Sequence, residues 1–245
     1  MSTIFGLDFG TTNSSLSVNK DGNVHIIDID QYNPTGKTLR SILYFDEELR
    51  VHVGQKAIDQ YIEEDACGRL MQSIKTFLPH AGFDYLKIGG LVYGLEDLIA
   101  IILKKIKEAG EHSIGEPVDS VVIGRPVIFS EDTKKDKLAE KRLMIAAQKA
   151  GFKNISFQLE PIAAALTFEQ TLQKNEEKIV LVGDFGGGTS DFSIVRLRGD
   201  RILRTGADRQ KDILSLGGIY IGGDTFDSQI MWHKIAGYFG KDVRY

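Results

Sequence analysis

Short apolar runs and longer amphipathic stretches take turns along the chain, which predicts an α/β fold. Strands are predicted at residues 2–8, 14–18, 24–29, 42–45, 51–53, 118–123, 155–159, 179–182, 192–197 and 202–207. Helices are predicted at residues 55–64, in part of 65–78, and at 96–110, 130–150, 162–172 and 225–233.

Four of these elements carry more specific expectations. The helix at 96–110 has an apolar face suited to a core, formed by Leu98, Ile101, Ile102 and Ile106. The run 118–123 is apolar except for Ser120, which predicts a strand buried on both faces. In the run 192–197, the apolar residues Phe192, Ile194 and Leu197 predict the buried face of a half-buried strand. Ser130 is the predicted N-cap of its helix.

Two of the predicted hairpins have similar turns. Asp8-Phe9-Gly10-Thr11-Thr12-Asn13 lines up without a gap on Asp184-Phe185-Gly186-Gly187-Gly188-Thr189, at an offset of 176 residues between Asp8 and Asp184. A repeat over that distance is too long for a solenoid. It predicts two similar lobes, each presenting one glycine turn to a shared cleft.

Both turns have the residues expected of a phosphate-binding loop. Glycine has no Cβ to obstruct a ligand, so backbone N–H groups can converge on an anion. Asp184 and Asp191 flank the second turn, and carboxylates beside a phosphate indicate a metal ion that offsets their charge. Gly222-Gly223 precedes a predicted helix and is a third candidate phosphate site. Without the repeat, the second turn is equally well a plain glycine hairpin.

Composition narrows the classes of partner. The 245 residues allow one large or two modest domains, and 42% hydrophobic and 26% charged residues are typical of soluble globular proteins. A net charge of −4 argues against nucleic acid or an anionic membrane as the main partner.

The single cysteine, Cys67, excludes an intrachain disulfide, and we interpret it as a small residue in a helix. The sequence shows no signal-peptide pattern, so we expect a cytoplasmic protein.

Five segments together resemble the nucleotide-binding domain of the DnaK-type heat-shock chaperones, the heat shock protein 70 family. They are Asp8–Ser14, Ser73–Leu78, Glu160–Leu166, Asp184–Asp191 and Ile221–Asp227. The resemblance implies the actin-like ATPase (ribonuclease H-like) fold, in which two lobes contain mixed sheets flanked by helices. We expect a first lobe at residues 1–177, with an inserted subdomain at 37–116, and the start of an incomplete second lobe at 178–245.

The resemblance also implies a function, namely a nucleotide switch that binds and hydrolyses ATP. ATP or ADP and Mg²⁺ are the implied bound species, with K⁺ as a further candidate ion. Client or co-chaperone proteins are candidate partners beside the nucleotide.

The resemblance assigns these roles to particular residues. Lys75 would approach the β- and γ-phosphates, Thr189 would orient the γ-phosphate and the attacking water, and Glu160 and Asp191 would belong to the network of that water. Mg²⁺ would be held, mostly through water, by Asp8, Asp184 and Asp191. The implied nucleotide-binding residues are Gly10, Thr11, Thr12, Asn13, Gly186, Gly187, Gly188, Thr189, Gly222, Gly223 and Asp224.

The sequence departs from the family pattern at three places. Asn13 stands where an aromatic residue is usual, Ile123–Pro126 replaces a small apolar run before the family's switch proline, and Lys134 stands where an arginine is usual. These changes argue against coupling of this domain to a substrate-binding domain.

The family's adenosine-contacting motif, linker and peptide-binding domain would follow residue 245, so we expect a divergent or truncated chaperone-like ATPase with weak nucleotide affinity.

Two other kinds of superfamily member are alternatives. Actin-like bacterial filament proteins have similar glycine motifs but no counterpart of Lys75, and nucleotide-dependent sedimentation would identify one. A sugar or acetate kinase would need a catalytic base over an acceptor hydroxyl, and the sequence contains no motif that nominates such a base.

Overall fold

The computed structural model describes residues 3–20, 23–83, 85–200, 209–219 and 221–241. The chain divides into two compact units, a first unit of Met1–Glu160 and a second unit of Pro161–Tyr245. The expected lobe boundary at residue 177 and the inserted subdomain at 37–116 stay predictions. The strand predicted at 202–207 lies outside the described residues.

The first unit is a mixed α/β structure. Its strands are β1 (Ile4–Phe9), β2 (Asn13–Lys20), β3 (Asn23–Ile26), β4 (Thr38–Arg40), β5 (Leu43–Phe45), β6 (Val51–Val53), β7 (Arg69–Met71), β8 (Leu86–Ile88), β9 (Leu91–Tyr93), β10 (Ser120–Arg125) and β11 (Asn154–Leu159). Its helices are α1 (Gln55–Glu63), α2 (Leu95–Ile114) and α3 (Thr133–Lys149), with one 3₁₀ turn at Ile74–Phe77.

The second unit combines one sheet with short helices. Its strands are β12 (Glu177–Phe185), β13 (Ser190–Arg198) and β14 (Ile213–Ile219). The helices are α4 (Glu160–Glu169), which begins at the last residue of the first unit, and α5 (Gly223–Ile230). Single turns lie at Gln210–Asp212, Met231–Ile235 and Ala236–Phe239.

The main sheet of the first unit has the order β11-β10-β1-β2-β3, and β4 pairs with β2. The three strands β1, β10 and β11 run parallel, whereas β1–β2 and β2–β3 are antiparallel hairpin pairs. The expectation of a mixed sheet flanked by helices is therefore confirmed. Because the carboxyl ends of parallel strands meet at one edge, whatever follows β1, β10 and β11 is brought together there.

Helix α2 covers this sheet and supplies much of the core. Of the predicted core positions, Leu98, Ile102 and Ile106 are buried, and Ile101 is partly buried against the core. The helix was predicted to end at Gly110 but continues for another turn to Ile114. A Cβ on Gly110 would lie 2.4 Å from Leu16 Cδ2, so this glycine permits close packing of α2 on β2 instead of ending the helix.

Three predictions about the first unit are wrong in detail. In β10 only Val121 and Ile123 are buried, so one face of the strand is covered. Asp132, not Ser130, is the N-cap of α3, because its carboxylate accepts the backbone N–H of residues 134 and 135 at 2.8 and 3.2 Å. The segment 65–78 contains strand β7, which pairs with β5, besides its short 3₁₀ turn.

Cys67 was also assigned to the wrong kind of structure. It lies after α1 in an irregular segment, and its side chain is exposed. Its backbone carbonyl accepts a hydrogen bond of 2.6 Å from the hydroxyl of Tyr44, which is fully buried in β5. Burial raises the pKa of Tyr44, and a hydrogen bond to Glu64 adds to this effect.

The sheet of the second unit has the order β12-β13-β14 and is antiparallel throughout. Its buried face was predicted incorrectly in part. Leu197 is buried as expected, but it shares that face with Ser193 and Val195, whereas Phe192 and Ile194 are each 37% exposed. The alternation along β13 places residues 193, 195 and 197 on one face, so Leu197 belongs to the set opposite to Phe192 and Ile194.

A buried ion pair ties α4 to the rest of the second unit. Both carboxylate oxygens of Glu169 accept hydrogen bonds from the guanidinium of Arg209, at 2.5 and 2.7 Å, and Oε1 also accepts the backbone N–H of Arg198 at 3.0 Å. Asp212 Oδ2 accepts from Arg209 Nε at 2.8 Å. A bidentate contact of this kind satisfies a charge that would otherwise be costly to bury.

A buried carboxylate in the small sheet β6-β5-β7 predicts acid sensitivity. Burial alone would raise the pKa of Asp46, but hydrogen bonds involving His52 and Arg50 outweigh it and lower the pKa to about 2. This value is below that of an unfolded aspartate, so the contribution of Asp46 to stability is present at neutral pH and is lost as the pH falls towards 2.

We therefore expect Asp46→Asn to be less stable than the wild type at pH 7, with a difference that shrinks as the pH falls to 2.5. Urea unfolding at several pH values measures this. Glu48→Gln, which changes a mostly exposed carboxylate of the same turn, is the control. A difference for Asp46→Asn that stays constant with pH would contradict the assignment.

Candidate functional site

The first glycine turn connects β1 to β2, whose register pairs Asp8 with Ser15 and Phe9 with Ser14. Leu7 and Phe9 are buried on one face, so Asp8, on the other, is exposed. A Cβ on Gly10 would lie 2.2 Å from the backbone oxygen of Asn13. Only glycine fits there without displacing the turn, which accounts for the residue that begins the loop.

Ser41 holds the backbone of the first turn through two hydrogen bonds. Its hydroxyl donates to the carbonyl of Gly10 at 2.8 Å, and its N–H donates to the carbonyl of Thr12 at 2.9 Å. The hydroxyls of Ser41 and Ser14, both buried, are 3.0 Å apart. Ser41 was not predicted as a site residue, because no motif links the end of β4 to a turn about 30 residues earlier.

The amides of the first turn are available to a ligand. Within the part of the chain that the structure describes, the backbone N–H groups of Gly10, Thr11 and Thr12 donate to no protein acceptor. The hydroxyl oxygen of Thr12 is enclosed and also lacks a hydrogen-bond partner among the described residues. A buried hydroxyl without a partner is uncommon in folded proteins, and consecutive free amides can form an anion-binding nest.

Lys75 and Glu160 meet in the first unit although 85 residues separate them in sequence. Lys75 Nζ donates to Glu160 Oε1 at 3.0 Å, and the two side chains are 12% and 23% exposed. Both residues were predicted to be catalytic, and the structure brings them together. A largely buried pair of this kind holds each charge in place, since removal of one partner would leave the other uncompensated.

Glu160 follows directly on β11 and lies against the end of β10. A Cβ on Gly124 would lie 3.3 Å from Glu160 Cγ, so the absence of a side chain at residue 124 leaves room for the glutamate. The first turn follows β1, which is parallel to β10 and β11. Asp8, the first turn and the Lys75–Glu160 pair therefore share the carboxyl-end edge of the parallel strands, where open α/β sheets commonly bind ligands.

The second glycine turn connects β12 to β13 with Asp184 directly opposite Asp191. Thr189 Oγ1 donates to Asp191 Oδ2 at 2.7 Å. A Cβ on Gly218, the neighbour of Asp191 on β14, would lie 2.5 Å from Asp191 Oδ1, so this glycine makes room for the carboxylate. The predicted catalytic residues Thr189 and Asp191 are thus brought together in the second unit.

The amides of the second turn resemble those of the first. Gly186 donates its N–H to the carbonyl of Thr189 at 2.9 Å and closes the turn. Among the described residues, the N–H groups of Gly187, Gly188 and Thr189 find no protein acceptor. The sequence repeat therefore corresponds to two turns that each present three consecutive unpaired amides.

The third glycine segment supports the second turn. The N–H groups of Gly223 and Asp224 donate to the carbonyls of Gly186 and Gly187, at 3.0 and 2.8 Å. A Cβ on Gly222 would lie 2.4 Å from the carbonyl oxygen of Gly187. These two amides at the start of α5 are already used within the protein, so nucleotide contact by Gly222, Gly223 and Asp224 stays a prediction.

The residues expected to hold Mg²⁺ fit that ion chemically. Carboxylate oxygens are hard donors, and Mg²⁺ usually takes one or two of them together with water and phosphate. Asp184 and Asp191 face each other across a strand pair, and like charges in that position repel unless a cation lies between or beside them. Among the described residues no group of three or more His, Cys, Asp or Glu side chains could by itself hold a metal ion, so coordination through water stays a prediction.

The fold and these turns define an α/β domain of the actin-like ATPase kind. A family model described as Hsp70 protein matches residues 4–243. The chain therefore belongs to the Hsp70 family, whose domains of this type bind nucleotide and whose members are ATPases. Within the described ranges, no helix is long and apolar enough to cross a membrane.

The contact between Gly222 and the second turn predicts a difference between two adjacent alanine substitutions. Gly222→Ala would push against the backbone of Gly187, so we expect it to lower the free energy of unfolding by about 1–3 kcal/mol. Gly223→Ala has its nearest neighbour at 3.8 Å and is the matched control, with an expected change of less than about 1 kcal/mol. Urea unfolding of both variants measures the difference, and equal stability of the two would contradict the packing.

Proposed function

We propose that the chain is the ATP-binding and ATP-hydrolysing switch domain of a chaperone of the DnaK type. The observation that carries this proposal is the Lys75–Glu160 pair at the sheet edge that also bears the first glycine turn. The family match supports ATP as the nucleotide. Clients or co-chaperones are the protein partners that we expect of such a domain.

Each of the two glycine turns is proposed to bind phosphate. Three consecutive amides in each turn are unpaired within the described structure, so they can donate to phosphate oxygens without breaking an existing bond. These amides belong to Gly10, Thr11 and Thr12 in the first turn and to Gly187, Gly188 and Thr189 in the second. Donors that are fixed before the ligand arrives need little reorganisation, which makes their electrostatic effect large.

Lys75 is proposed to offset the charge that develops on the transferred phosphoryl group. Its ammonium is a compact positive charge with three N–H donors, one of which donates to Glu160 Oε1. A phosphoryl-transfer transition state spreads negative charge over the equatorial oxygens, so positioning and charge matter more than a strong base. Glu160 keeps the ammonium in place and can accept a hydrogen bond from water with its carboxylate.

Thr189 and Asp191 are proposed to orient the attacking water. The hydroxyl of Thr189 donates to Asp191 Oδ2, so its oxygen can in turn accept a hydrogen bond from water or lie beside the γ-phosphate. Asp184 and Asp191 in the second unit would hold Mg²⁺ through water, and Asp8 in the first unit is proposed as a further carboxylate for the ion. When bound, the ion neutralises phosphate charge and orients the β- and γ-oxygens.

The test separates binding from hydrolysis. We expect Lys75→Ala to bind ATP in calorimetry within about threefold of the wild type, but to lose about 10²–10³-fold in single-turnover hydrolysis, because charge compensation at the transition state is removed. Lys87→Ala, which removes a lysine with an exposed side chain in strand β8, is the control and should behave as the wild type.

Titrations with and without Mg²⁺ extend the test to Asp184. Asp184→Asn should reduce the effect of Mg²⁺ on ATP affinity, since one of the proposed carboxylates is lost. A wild-type chain that binds no ATP up to millimolar concentration, with or without Mg²⁺, would overturn the proposed function. Full hydrolytic activity in Lys75→Ala would overturn the role of the lysine alone.

A further inference from the structure

Arg142 is a buried cation of α3, with only 8% of its surface exposed. Its guanidinium donates to four backbone carbonyls of one short segment. Nη1 donates to the oxygens of Phe77, Leu78 and His80 at 3.3, 3.1 and 2.8 Å, and Nη2 donates to the oxygen of Phe83 at 2.9 Å. Arg142 Nε lies 3.4 Å from Glu96 Oε1, which supplies a compensating charge from α2.

These carbonyls belong to the end of the 3₁₀ turn that contains Lys75 and to the loop after it. The last carbonyls of a helical turn lack partners within the turn, and a cation is the favourable group to meet them. The loop itself is closed by hydrogen bonds from Leu78 N–H to the carbonyl of Lys75 and from His80 N–H to the carbonyl of Phe77, at 3.1 and 3.0 Å. Arg142 therefore fixes the shape of the segment from outside it.

The other end of the same turn is strained. Ser73 has φ of 56° and ψ of 30°, a left-handed conformation that is unfavourable for a residue with a Cβ. Such a conformation persists only where neighbouring structure holds it. Ile74 and Leu78 are buried on either side of Lys75 and anchor the turn, and Arg142 completes the restraint at its carboxyl end.

We propose that Arg142 is a positioning residue, which holds the turn at Ile74–Phe77 so that Lys75 stays aimed at Glu160. This inference rests on the proposed ATP hydrolysis for its kinetic consequence. An arginine is needed because its planar guanidinium presents five donors in a fixed arrangement, whereas a lysine offers one compact charge. Two nitrogens of the guanidinium donate to the four carbonyls, whereas an ammonium group donates from a single nitrogen.

The kinetic test uses Arg142→Lys, which retains the charge. We expect its ATP affinity to stay within about threefold of the wild type and its single-turnover hydrolysis rate to fall about 10–100-fold, because a small displacement of a catalytic group is costly. In a Lys75→Ala background, Arg142→Lys should cause no further loss in rate. Independent losses that multiply in the double variant would overturn the inference. Lys141→Ala, an exposed neighbour on α3, is the control.

The structural test does not depend on activity. Backbone hydrogen exchange without nucleotide should show at least about tenfold faster exchange in Arg142→Lys at residues 75–83, with α3 and the main sheet unchanged. Faster exchange throughout the first unit would show a general loss of stability and would overturn the positioning role.

The two proposals can fail separately. If the wild type hydrolyses no ATP, the proposed function fails, and the exchange pattern at residues 75–83 decides whether Arg142 holds the turn. If the wild type hydrolyses ATP and Arg142→Lys matches it in rate and exchange, the proposed function stands and the role of Arg142 is wrong.

Discussion

The ion pair between Lys75 and Glu160 is the contact on which the candidate site in the first unit depends. It joins the turn after β7 to the residue after β11, and both groups are largely buried. Such a pair is stable only if the surrounding structure places both charged groups within hydrogen-bond distance, because the free-energy cost of burying each charge is large. Gly124 leaves room for the glutamate, and Arg142 restrains the segment that carries the lysine. The geometry of this pair therefore accounts for Gly124 on β10 and Arg142 on α3, which otherwise have no evident role.

A second constraint is the direction of the backbone in the two glycine turns. Each turn has at least one carbonyl held by a neighbouring segment, Ser41 for the first turn and the start of α5 for the second. With the carbonyls fixed in this way, three amides in each turn stay without protein acceptors in the described structure. Amides arranged in this way can donate together to one anion. Phosphate is the ligand chemistry that both the turns and the Hsp70 family membership indicate.

The sequence predicted the mixed α/β class, the glycine turns and the family, because these depend on local patterns and on motif spacing. It also nominated Lys75 and Glu160, although only through the family resemblance. It could not predict the roles of Arg142 and Ser41, because both donate to backbone carbonyls of segments distant in sequence. Every residue has such a carbonyl, so the residue types of those segments do not indicate the contact. The buried face of β13 was misjudged for a related reason. Phe192 and Ile194 are apolar, but tertiary packing placed the opposite face, with Ser193 and Val195, inside.

The most direct test of the account is backbone hydrogen exchange of the wild-type chain with and without saturating Mg·ATP. The account predicts that exchange slows in both glycine turns, at residues 10–12 and 187–189, because their amides become donors to phosphate oxygens. The loop at Gly89-Gly90, a glycine turn of the β8–β9 hairpin, should not change. Unchanged exchange in both turns at ATP concentrations that saturate binding would contradict the claim that these turns hold the nucleotide.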